Sequence, residues 1–110
     1  MGKDTLGEFE LLVLLAAIRL GEAEAYAVSI VDEIAARTGR DIHRAAVYVT
    51  LQRLEKKGLI ATRLGAPQPE RGGKARRLVR VERSGREAVR EARHAFQRMW
   101  VGLGAQLEER

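Results

Sequence analysis

The 110-residue sequence predicts a mainly helical, α+β chain: three helices, a two-stranded hairpin and one closing helix. Three observations carry that reading. Apolar residues recur at three- and four-residue intervals through the first half and again after residue 84. They alternate with a period of two near residues 59–64 and 75–81, and Gly21, Gly39 and Gly58 stand where one pattern gives way to the next. The length suits one modest core. Within it, residues 1–82 read as one unit and 83–110 as a closing helix that leaves it.

Thr5 followed by Glu8 has the spacing of a capping box and is expected to open the first helix. Leu6, Phe9, Val13, Ala17 and Leu20 form one stripe of it, and Leu11, Leu12, Leu14, Leu15 and Ile18 lie beside that stripe. A helix so apolar all round needs cover on most sides. One copy of a domain this size can hardly supply it, so Leu11, Leu14 and Leu15 are expected to meet a second subunit. The second helix reads from Tyr26 to Thr38, with Ala27, Ile30, Ile34 and Ala35 at helical spacing and Gly39 closing it. Arg40-Asp41-Ile42 leads to a third helix, Arg44 to Lys57, whose Val47, Leu51 and Leu54 face inward. Its opposite face, Ala45, Tyr48, Val49, Gln52, Arg53 and Lys56, is small, polar or basic, with Glu55 at the margin.

Strands are expected at Leu59–Leu64 and Ala75–Val81, joined by a loop that holds both prolines and three glycines. Ser84 with Glu87 suggests a second capping box, opening a helix that runs to about Leu107. Val89, Ala92, Phe96, Met99 and Leu103 follow at spacings of 3, 4, 3 and 4, with Trp100 alongside. Two heptads are too short for a free coiled coil but suit packing on a partner helix.

The net charge of +5 is unevenly placed. Residues 1–60 carry 8 basic and 9 acidic side chains, whereas Arg63 to Arg86 hold 8 basic groups against only Glu70 and Glu82. Such a concentration suits a polyanion partner. The element order and this basic hairpin are those of a winged helix-turn-helix. One helix fits a major groove about 12 Å wide while the hairpin beside it reaches the backbone. Gln52 and Arg53 can address base edges, with Ala45 and Val49 beside them; Arg44, Tyr48 and Lys56 suit phosphates, joined by Arg63, Arg71, Lys74, Arg76 and Arg77 of the wing.

On these residues the chain also resembles the PadR-like transcriptional regulators. The matching stretches are Leu6 to Leu14, Ala25 to Ile30, Ala46 to Ile60 and Pro69 to Arg77, of which Tyr48 to Gly58 is the most specific. The resemblance implies a homodimeric DNA-binding regulator, usually a repressor, pairing through its last helix and often its first. Where the family carries an aromatic pair and a Thr after the wing arginines, this chain has Leu78-Val79 and Glu82, and Ser84 is expected to supply the cap. Pairing is expected through Val89, Ala92, Phe96, Met99, Trp100 and Leu103. In a dimer, Phe96 and Trp100 could also flank a small aromatic effector, as some family members are regulated by such compounds.

An enzyme is not expected. There is no cysteine, and His43 and His94 fall on different helices without a carboxylate cluster, so neither a metal nor another cofactor is called for. Gly73-Lys74 resembles the end of a phosphate-binding loop, but Gln68 and Ala75 occupy its first-glycine and hydroxyl positions. The longest apolar run, Leu11 to Ile18, is too short to span a bilayer, and Met1-Gly2-Lys3-Asp4 does not read as a signal peptide or lipidation site, so a cytoplasmic protein is expected. Two other readings stay open: a winged-helix protein-interaction module without specific DNA binding, and a structured-RNA binder.

Overall fold

A computed structural model describes residues 5–67, 72 and 75–108. The elements are α1 (Glu8–Leu20), α2 (Ala27–Thr38), α3 (Arg44–Lys56), β1 (Ile60–Pro67), β2 (Ala75–Val81), α4 (Arg83–Trp100) and the single turn α5 (Gly104–Leu107). The fold is a winged helix-turn-helix. α1, α2 and α3 enclose a core of Val13, Leu14, Ala17, Ile30, Ile34, Val47, Leu51 and Leu54, closed on one side by Ile60, Val79 and Val81 of the hairpin. Among the described residues no helix is long and apolar enough to cross a membrane.

The first two helix starts are each set by a side chain reaching back to the backbone. α1 opens two residues later than the Thr5–Glu8 pair suggests: the Gly7 N–H donates to Glu10 Oε1 at 2.9 Å, and Glu8 instead meets Arg40 at 2.8 Å. At α2 the Tyr26 N–H donates to Ser29 Oγ at 3.0 Å, and the Ser29 hydroxyl donates to the Glu24 carbonyl at 2.7 Å. α2 ends at Gly39, whose φ of 73° and ψ of 5° are the left-handed conformation that releases the chain toward α3. Leu14 is fully buried inside this one chain, so it is removed from the expected partner-facing surface; Leu15 and Ile18 hold the outer face of α1, and Leu11 is half-buried.

β1 and β2 pair antiparallel, Ile60 opposite Val81 through Leu64 opposite Arg77, with the register shifting between Leu64 and Pro67. β1 therefore extends three residues past its expected end, to Pro67, which pairs with Ala75 beyond the register shift. Simple alternation holds only in part on β2, where Leu78 and Val79 are both buried. Leu78 points away from the main core, and its Cδ1 lies 3.0 Å from where a Cβ on Gly65 would stand.

α4 grows directly from the hairpin. Its N-cap is Glu82, and the expected Ser84–Glu87 box is absent: the Ser84 hydroxyl donates across 26 residues to the Gly58 carbonyl at 2.7 Å. The Glu82 N–H donates to Leu59 O at 2.9 Å, and Gly85 is buried against the same carbonyl. α4 stops at Trp100, short of the expected Leu107, because Val101 is extended and Gly102 adopts a φ of 84°. Leu103 thus leaves the helical seam and becomes the cap of α5.

Candidate nucleic-acid interface

The amphipathic pattern of α3 builds the centre of the site. Val47, Thr50, Leu51 and Leu54 are buried, which turns Arg44, Ala45, Tyr48, Val49, Gln52, Arg53 and Lys56 outward, and all seven are exposed. Tyr48 and Val49 are each 51% exposed, far more than packing on the body requires. The outer face is therefore a helix-wide row of hydrogen-bonding and basic groups with no apolar cover.

Behind it, α3 is held at its far end by an ion pair. Lys57 Nζ lies 3.0 Å from Glu10 Oε2 and 3.2 Å from Oε1, and the Glu10 side chain is only 9% exposed. Burial pushes the Glu10 carboxyl up, but the Gly7 amide, Lys57 and the nearby charge of Arg53 outweigh it and hold it below the ordinary carboxylate value. One carboxylate thus caps α1 and tethers the exit of α3.

Between α3 and the wing lies a cavity of about 400 Å³, with Tyr26, Tyr48, Gln52, Thr62, Arg76 and Arg77 in its lining. The two consecutive wing arginines make different contacts within it. The Arg76 guanidinium sits 4.5 Å from the centre of the Tyr26 ring. Arg77 Nη1 donates to Thr62 Oγ1 at 3.1 Å, and that hydroxyl donates to Glu55 Oε2 at 3.0 Å, so a chain of polar groups joins the wing to α3. Arg63 is exposed, and its Nη2 donates to the Glu22 carbonyl at 3.4 Å. Arg71 and Lys74 lie outside the described residues.

Local spacing marks neither Tyr26 nor Thr62 as part of this site and puts Glu55 only at its margin, since each joins it through a contact between different elements. Tyr26 reads as core, yet it is only half-buried and lines the crease. The signal available was its position at the cap of α2, one residue beyond the run that enters the core.

The apolar candidates gather elsewhere. Val89 and Ala92 are half-buried on α4, whereas Phe96, Met99, Trp100 and Leu103 are exposed and line one shallow depression of about 210 Å³. The Phe96 and Trp100 rings meet edge to face, 6.2 Å between centres. Of the eighteen residues of α4, Gly85 alone is fully buried.

No curated protein sequence matches the chain. Solved structures do. A PadR family transcriptional regulator from Eggerthella lenta is 28% identical, with 94% of this chain and 88% of that one covered and a TM-score of 0.68. A PadR family transcription regulator from Clostridium difficile shares the fold at a TM-score of 0.72 and 16% identity, over 93% of this chain and 100% of that one. Bordetella bronchiseptica BpsR, whose DNA binding is regulated by 6-hydroxynicotinic acid, shares it at a TM-score of 0.64 and 23% identity, over 94% and 72% of the two chains. The profile of the transcriptional regulator PadR-like family matches residues 14–91, from the middle of α1 through the wing and into α4. With most of its length inside that match and its helices and wing in the same arrangement, the chain belongs to the PadR-like family of transcriptional regulators.

Proposed function

We propose that the protein is a homodimeric DNA-binding repressor, reading a roughly palindromic operator with α3 and gripping the backbone with its basic wing. The single observation that carries this reading is the outer face of α3, exposed along its whole length and free of acidic residues apart from Glu55 at its edge. Gln52 and Arg53 offer donors and acceptors suited to base edges, and Arg44, Tyr48 and Lys56 offer groups suited to phosphates. Arg63 and Arg77 add positive charge beside them, and Arg71 and Lys74 add to the charge of the sequence between the two strands. Two copies would enter successive major grooves about 34 Å apart.

The dimer is supported by surface that water otherwise meets: Met99 is 75%, Trp100 59% and Phe96 50% exposed on one helix. Aromatic and methionine side chains are enriched in interface cores. Leu11, Leu15 and Ile18 of α1 extend the candidate apolar surface. A regulator that works on chromosomal DNA has the cytoplasm as its natural compartment.

The test is titration of a duplex carrying the gene's own promoter with purified protein at several salt concentrations. Affinity should fall steeply with salt, by a slope of about 0.9 for each phosphate contact. Absence of a salt-dependent complex on any genomic fragment would overturn the reading in favour of a protein-interaction module. A second reading is favoured by the edge-to-face Phe96–Trp100 pair: in the dimer it offers a slot to a flat aromatic effector. BpsR, with its 6-hydroxynicotinic acid, supports that reading. Trp100 fluorescence should be quenched by a planar aromatic acid, and silence across a panel of such acids would sink it.

A further inference from the structure

We infer that Arg76 is a positioning residue of the wing, not one of its phosphate contacts: stacked on Tyr26, it sets the angle at which the hairpin stands beside α3. The inference rests on the DNA-binding reading for its consequence in affinity, but its structural half stands on the contacts alone.

The hairpin leaves the body at Val79, whose N–H donates to the Ala25 carbonyl at 2.8 Å. Three residues nearer the wing tip, the Arg76 guanidinium covers the ring of Tyr26. Ala25 and Tyr26 are consecutive and end at the cap of α2, so both ties land on one rigid point of the body. The apolar core does not reach this level: Leu64, on the neighbouring strand, is 62% exposed. On the other side Arg77, Thr62 and Glu55 link the hairpin to the end of α3. The wing is thus braced from two sides, by one arginine toward α2 and by the next toward α3.

The environment of Arg76 fits a brace better than a grip. Its Nε is buried and has no hydrogen-bond partner among the described residues, and the Tyr26 ring lies over the guanidinium carbon, where its face attracts the positive charge. A guanidinium suits this because it is planar and weakly hydrated; a lysine ammonium holds the charge but not the stacked plane. Arg76 is also half-buried, whereas Arg63 and Arg77, each with a hydrogen bond of its own, are exposed to solvent and to an approaching phosphate.

The experiment uses the full chain and the tightest genomic duplex found for it, with Tyr26→Leu, Tyr26→Phe, Arg76→Lys and Arg76→Ala. Affinity is read across a salt series, and amide hydrogen exchange of residues 75–79 is read without DNA. Tyr26→Leu and Arg76→Lys should each weaken binding by about tenfold with an unchanged salt slope, and should speed exchange in the wing. Tyr26→Phe, which keeps the ring, should behave as the natural protein. The inference is overturned if Arg76→Lys binds normally, Arg76→Ala lowers the salt slope by about one, and exchange in the wing is unaltered. If the natural protein binds no duplex in a salt-dependent way, the DNA-binding reading fails, and the exchange measurement still decides whether Arg76 holds the wing.

Discussion

Helices α3 and α4 are both amphipathic and both present a long outer face, but what they leave uncovered differs in kind. α3 buries four large or β-branched side chains and leaves polar and basic groups outside. α4 buries only Gly85 and leaves aromatic rings and a methionine outside. Water solvates the first face well and the second poorly, so the first can wait for a charged partner while the second favours apolar cover. The charge pattern differs too: the basic excess falls between Arg63 and Arg86, in the wing sequence and the first turn of α4, whereas residues 87–110 are balanced at four basic and four acidic side chains.

The largest expected effect breaks the joint between the two helices. A Cβ on Gly85 would stand 2.4 Å from Leu59 O and 2.8 Å from Val81 Cγ1, both fixed groups. Gly85→Ala should destabilise the fold by about 3 kcal/mol and lower Tm by roughly 13 °C. A melting curve unchanged from the natural protein would mean that α4 is not seated on the α3–β1 turn. Next, Trp100→Asp places a charge in the exposed apolar face of α4. The expected result is a monomer by light scattering and operator binding weaker on the order of 100-fold through lost bivalency. An intact dimer would move the seam away from Trp100.

A smaller effect is expected at the root of α3. Glu10→Gln removes the charge that pairs with Lys57 and should cost about 1–3 kcal/mol at neutral pH. Because the folded carboxyl is held below its ordinary value of 4.5, the stabilisation is complete above that value and is lost as pH falls through the lower, folded one. The natural protein and Glu10→Gln should therefore converge in stability in strong acid and be fully separated by about pH 5. A gap independent of pH would show that Glu10 acts by shape alone. Smallest, Gln52→Ala should relax sequence preference by about 1–3 kcal/mol at one base pair while sparing affinity for unrelated DNA. A uniform loss across all sequences would assign Gln52 to the backbone.

The two helices also differ in how well their sequences foretell them. α3 alternates buried and exposed residues in step with its turn, and Gly58, with a φ of 79°, ends it where the spacing says it should. The same holds for α2 and Gly39. α1 is apolar all round, and periodicity cannot tell the inner Leu14 from the outer Leu15 when both are leucine. At α4 the apolar spacing continues to Leu103, but the backbone turns at Val101 and Gly102, a stop that a seam of side chains does not encode. The site was legible where one helix carries it. It was not legible where distant residues meet: Arg76 with Tyr26, Ser84 with Gly58, and Lys57 with Glu10 are separated by 26 residues or more, and local spacing says nothing about such pairs.

The Glu82, Ser84 and Gly85 contacts to Gly58 and Leu59 have a geometric consequence for any dimer seamed along α4. They bolt the root of that helix to the exit of α3 by two hydrogen bonds and a close-packed glycine. Two such protomers would behave as the jaws of a caliper whose opening is fixed at the hinge. A change in the crossing angle of the two α4 helices would alter the distance between the reading heads, with no need to disturb either head itself. One base pair inserted between half-sites would carry a penalty in rotation as well as in distance.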